Sequence, residues 1–210
     1  MNLPEPSRDL ITGVALIALL AMTRIGHFGG IATPPDASLA VFFLLGLWIA
    51  SSRWLVIALL AAVASDALAI AQGVGSYCIT PAYPFLIPTY GVLWGAGRAT
   101  CLYAERRRGW PRGLALGVAL LTSATSAFVL SNASFYAFSG YFKAMPVGDF
   151  ARAVNPYFRP YLAAAAAYVT VAIVCRRLLL GPERGSAASV AAKPSSTGRG
   201  AQLADEDTGL

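Results

Sequence analysis

Cys78 lies in the stretch "GVGSYCITPAYPF", Gly73 to Phe85, which carries no charge and separates two long apolar runs. A thiolate is a soft metal ligand and a nucleophile, so this residue can do either kind of chemistry. No second Cys or His stands at zinc-like spacing from it, which argues against a metal cage made by protein alone. A metal that arrives in its own macrocycle needs only one such ligand. Arg24 and Asp66 sit inside apolar runs, where ionisable groups are costly and either pair with one another or line a cavity. An Arg24–Asp66 pair is geometrically allowed, as readily a structural ion pair as part of a ligand site. His27, the single histidine, follows Arg24 by three residues and shares its helix face. It reads as a capping or interfacial residue or as a ligand.

The elements that must position these residues follow from composition. Hydrophobic residues make up 57% of the 210 and charged residues only 12%, about half the charged share of a soluble domain. The surplus apolar surface requires lipid, so the chain reads as an all-α integral membrane protein. A bilayer core of roughly 30 Å takes about 20 helical residues. Six runs are expected as spans: Leu10 to about Phe28, Ala37 to Ala50, Trp54 to Gln72, Phe85 to Tyr103, Leu114 to Ser131 and Tyr161 to Leu180. The second is short. Glu5 and Asp9 spoil a signal-peptide n-region, so the first run is expected to be retained. The "AAAAA" at Ala163 to Ala167 allows close helix approach. Residues 1–180 are thus expected to form one transmembrane domain. The Gly-, Ser- and Ala-rich segment 181–210 reads as a disordered cytoplasmic tail.

Charge sets the orientation. Arg8, Arg53, the "ERRRGWPR" segment and Arg176 with Arg177 fall on one side in a six-span arrangement, which predicts that side, and both termini, to be cytoplasmic. The net charge of +6 resides mostly in these topology signals, so no nucleic-acid partner is expected. Cys78 then faces outward. Cys101 and Cys175 fall near inner helix ends, about a membrane thickness away, whereas a disulfide needs Cα atoms within about 7 Å. The segment Phe135 to Tyr161, "FYAFSGYFKAMPVGDFARAVNPYFRPY", is read as a long outward loop, an aromatic belt or a lid over a large flat ligand. No P-loop is present, so energy from ATP would have to come from a partner.

The "TRIGHFGG" turn followed by "PPDASLAVFFLLGLW", the intramembrane Asp66 and the "SYCITPAYPF" loop resemble the BtuM-type vitamin B12 transporters, small relatives of the S components of energy-coupling factor transporters. The resemblance covers roughly Leu10 to Leu180. It implies a six-helix S-component-like bundle in the bacterial inner membrane, with cobalamin or cobinamide bound from the periplasmic side and no intrinsic cofactor. Cys78 resembles the family cysteine that approaches the corrin cobalt as axial ligand, and His27, Asp66 and Tyr83 resemble residues around that pocket. Tyr77, Tyr83 and Tyr90 are candidates to pack on the ring, with Arg24 beside Asp66. Thiolate ligation would also labilise a cyano group on the opposite face, a weakly enzyme-like accessory to transport. Ala15, Ala18 and Ala21 are spaced by three, whereas S components that dock on a shared coupling module often show small residues four apart. Solitary operation or a different partner therefore both stand. The alternatives are an S-component-like carrier for another vitamin or a metal ion, and a membrane thiol enzyme with Cys78 as nucleophile and His27 as its base.

Overall fold

The computed structural model describes residues 5–26, 34–49, 51–106 and 112–180. His27 and the tail 181–210 lie outside the described residues. Six α-helices and no strands are found among the described residues: α1 Glu5–Gly26, α2 Ser38–Trp48, α3 Arg53–Ala71, α4 Leu86–Arg106, α5 Arg112–Phe138 and α6 Val147–Leu180. Two compact units divide the chain, Met1–Ile173 and Val174–Leu210. The last turns of α6, with the exposed Cys175, belong to the second.

Local chemistry accounts for the helix limits. Pro6 occupies the first turn of α1, where its missing N–H costs nothing. Thr23 holds the entry to α2, its hydroxyl accepting a bond from the Ala37 amide at 3.1 Å. Asp36 holds the same entry by accepting the Ser38 amide at 2.9 Å, the two-residue reach usual for aspartate in turns. At the end of α3, Gly73 takes φ 97°. Its amide bonds the Ile70 carbonyl at 2.9 Å and the Val74 amide bonds Ala69 at 3.1 Å. This pairing closes the helix on a left-handed residue, which glycine adopts without penalty. The chain then enters two short 3₁₀ turns, Ser76–Cys78 and Tyr83–Phe85, before α4.

Within the first unit α2 is the centre. Every residue from Ser38 to Gly46 is buried, as expected of a helix that is apolar all round. Its main neighbour is α4, and the two backbones nearly touch. A Cβ on Gly46 would overlap the Trp94 carbonyl, and one on Gly97 the Phe43 carbonyl. At 11 residues, α2 is about 16 Å long, too short to cross a bilayer by itself.

Among the described residues, three helices are long and apolar enough to cross a membrane, Arg53–Ala71, Gly113–Phe138 and Val147–Leu179. Their outward surfaces are compatible with a membrane protein. Only 22% of the most apolar window of α3 is buried, and 11% of that in α6. Val56, Leu60, Val118, Leu121 and Val171 stand exposed, an apolar surface that water would penalise. Exposed hydroxyls fold back onto their own helices: Thr122 donates to the Val118 carbonyl at 2.8 Å, Ser126 to Thr122 at 2.9 Å and Thr170 to Ala166 at 2.7 Å. These hydroxyls therefore leave no unsatisfied donor on the apolar surface.

The structure corrects one expectation. The segment Phe135 to Tyr161 is not a long loop, because α5 continues to Phe138 and α6 begins at Val147. Pro156 and Pro160 lie inside α6, where each removes a backbone bond. Aromatic packing holds the helix through them. Phe128 of α5 meets Phe158 and Tyr161 edge-on at 5.2 and 5.5 Å, and Tyr136 meets Phe150 at 4.9 Å. Residues at 150, 154, 158 and 161 share one helix face, a pattern that the prolines mask in the sequence.

Candidate functional site

The alternation of helices brings the last turns of α1, α3 and α5 to the same end as the first turns of α2 and α4. Arg24, Asp66 and Asn132 come from the former, and Asp36 and Tyr90 flank or begin the latter. The 74–86 segment crosses this end and adds Tyr77 and Tyr83. Charged and phenolic groups distant in sequence thereby face one space.

Arg24 is the hub. Its Nε donates to Asp66 Oδ1 at 2.6 Å and its Nη2 to Asp66 Oδ2 at 2.7 Å, the parallel fork that makes Arg–carboxylate pairs strong and directional. Nη1 donates to Ser38 Oγ at 3.0 Å and to the Tyr90 hydroxyl at 2.8 Å. Asp36 Oδ2 lies 3.6 Å from the same nitrogen, and Asp36 Oδ1 accepts the Ser38 hydroxyl at 2.6 Å. Tyr83 donates to Asp66 Oδ2 at 2.7 Å. Burial, and then this bond to the carboxylate, push the Tyr83 phenol above its ordinary range, so it stays a neutral donor. Tyr90 is wedged in place by Phe42, ring on ring at 4.1 Å. The network thus ties α1, α2, α3, α4 and the 74–86 segment together.

The network forms part of the wall of a cavity of about 370 Å³. Ala69, Ile70 and Leu86 supply apolar surface, and Ser131, Asn132 and Tyr161 supply further polar groups. Gly75, Tyr77 and Ile79 also line it. Tyr77 stacks on Tyr141 at 4.4 Å and Phe85 on Phe138 at 4.8 Å. Aromatic contacts therefore join the segment carrying Cys78 to α5 and to the short α5–α6 connection.

Of the residues singled out in the sequence, Arg24, Asp66, Tyr77, Tyr83 and Tyr90 line this one cavity. The Arg24–Asp66 pair forms, and it is both a tie between helices and part of the cavity wall. Cys78 closes the first 3₁₀ turn, between the cavity-lining Tyr77 and Ile79. His27 lies outside the described residues. Among the described residues no group of three or more His, Cys, Asp or Glu is placed to hold a metal. Asp36, Ser38, Asn132 and Tyr161 are site residues that the sequence reading did not single out. Asp36 carries a signal in "PPDAS", an aspartate two residues before a helical serine, but that pattern announces a helix start rather than a cavity. Compared with models of known families and with curated proteins, the chain matches none. Its function must be argued from the site.

Proposed function

We propose that this protein is a corrinoid-binding uptake protein of the bacterial inner membrane, a six-span S-component-like bundle that takes cobalamin or cobinamide from the periplasmic side. In this reading both termini are cytoplasmic and all six helices lie within the bilayer, the short α2 packed against α1, α3 and α4. The observation that carries the proposal is the cavity itself. It lies at one end of the helices, and the residues on either side of Cys78 line it beside the Arg24–Asp66 pair, Tyr83 and Tyr90. A corrin fixes four equatorial ligands to cobalt and leaves axial positions for a single protein thiolate, which is what a lone cysteine can offer. Flat aromatic groups such as Tyr77 suit the faces of such a ring. The aromatic contacts between the 74–86 segment and the end of α5 would part to admit it.

The test is spectroscopic. Purified protein incubated with cobinamide is expected to hold it through gel filtration, with an absorption spectrum shifted from that of the free corrinoid. Cys78→Ala should abolish the shift and weaken binding. An unchanged spectrum and affinity in that variant would remove Cys78 from the site. Uptake in cells lacking every coupling ATPase then decides whether the protein acts alone.

One observation favours a second reading. At about 370 Å³, the cavity is near the lower end of the roughly 300–1,000 Å³ typical of small-ligand pockets. A carrier for a smaller vitamin would use the same walls without their parting. Native mass spectrometry of colourless purified protein carrying a small organic ligand would support it.

A further inference from the structure

We infer that the cavity selects a neutral or cationic ligand bearing N–H donors and rejects anions, and that Asp36 is the residue that receives the donor. This rests on the reading of the cavity as the ligand site. Among the described residues lining it, one guanidinium faces two carboxylates, Arg24 against Asp36 and Asp66. The described wall therefore carries an excess of negative charge.

Arg24 is not available to offset an anion. Nε and Nη2 are committed to Asp66, and Nη1 to Ser38 and Tyr90. Four donations occupy four of the five N–H groups of a guanidinium. A ligand carboxylate or phosphate would find no free fork and would have to displace an internal partner.

The two aspartates differ. Both oxygens of Asp66 accept bonds, from Arg24 at each and from Tyr83 at Oδ2. Asp36 uses Oδ1 to accept the Ser38 amide and hydroxyl. Its Oδ2 has, among the described residues, only the 3.6 Å approach of Arg24, too long for a hydrogen bond. The Asp36 side chain is also twice as exposed, 26% against 13% for Asp66. Among the described residues, this oxygen is the acceptor left over. A ligand that covers it without supplying a donor strips water from a carboxylate and gives nothing back. A primary amide, an ammonium or another N–H group restores the bond. The peripheral amides of a corrinoid meet that requirement, and their hydrolysed carboxylate forms do not.

The experiment compares cobinamide with corrinoid monocarboxylates made by mild hydrolysis of its peripheral amides, each titrated into the full-length protein. The amide form is expected to bind about ten- to a hundredfold tighter than the most affected monocarboxylate, the range for a hydrogen bond to a buried charge. Asp36→Asn should narrow that gap, and Asp36→Glu, which keeps the charge, should restore it. Thermal unfolding of each variant checks that it is folded. Equal binding of amide and carboxylate forms, or an undiminished gap in a folded Asp36→Asn protein, overturns the inference. If no corrinoid binds, the corrinoid reading fails alone, and the charge rule is tested with thiamin, riboflavin and pantothenate as cationic, neutral and anionic probes. Stabilisation by thiamin or riboflavin but not by pantothenate supports it. Stabilisation by pantothenate, or by none of the three, overturns it.

Discussion

Replacing Arg24 by glutamine removes the hub of the network and, among the described residues lining the cavity, its one cation. Asp66 loses both arms of its fork and Asp36 its neighbouring charge. Two largely buried carboxylates then face each other across the space the guanidinium filled. Breaking a buried pair in this way costs about 3–5 kcal/mol. Asp66→Asn is milder for a reason visible in the geometry. The introduced asparagine keeps one oxygen acceptor, and Arg24 retains Ser38, Tyr90 and the Asp36 carboxylate, so the charges balance. A cost of about 1–3 kcal/mol follows, that of weakened bonds to a charged group. In a chain of this size the first variant should lose on the order of 10 °C in unfolding temperature and the second about half as much. The Arg24→Gln, Asp66→Asn double variant should be more stable than Arg24→Gln alone, because only one carboxylate is stranded. Thermal unfolding in a single detergent, followed by circular dichroism, reads all three. If Asp66→Asn proves as damaging as Arg24→Gln, the charge argument is wrong and the pair acts through packing alone.

Gly46→Ala and Gly97→Ala should each destabilise the α2–α4 crossing by about 1–3 kcal/mol or more, since a methyl meets a carbonyl oxygen of the facing helix. Gly95→Ala, on the same helix as Gly97 but with nothing within 4 Å of the added carbon, should be neutral or stabilising by about 0.5–1 kcal/mol; comparable unfolding temperatures for all three would refute the close approach. Phe128→Ala removes the ring that Phe158 and Tyr161 pack against. It should raise amide hydrogen exchange around Pro156 and Pro160 selectively, leaving the exchange of α2 unchanged.

Much of this organisation is legible in the sequence because it depends on local patterns. Apolar runs of helical length place six helices, and their expected limits agree with the observed ones within a few residues for α2 to α4, whereas α1 begins earlier, at Glu5 rather than Leu10. The costliness of Arg24 and Asp66 inside such runs announces that they must find partners, and the alternation of helices brings them to the same end. The failures are equally local in origin. Pro156 and Pro160 read as helix breakers, and only the contacts of Phe128 and Tyr136 with α6 show why the helix persists. Proline's cost is a fixed local term, whereas the aromatic burial that outweighs it is long-range.

What the sequence by itself determined is which residues could not stand alone: an arginine and an aspartate in apolar surroundings, and a thiol without a second cysteine or histidine at ligand spacing. What only the tertiary structure decided is how their bonds are shared out. The fork between Arg24 and Asp66 and the two further donations to Ser38 and Tyr90 depend on distances across helix pairs 14 to 66 residues apart in the chain. Charge at a site is the sum over all the groups that face it, and no stretch of sequence contains that sum.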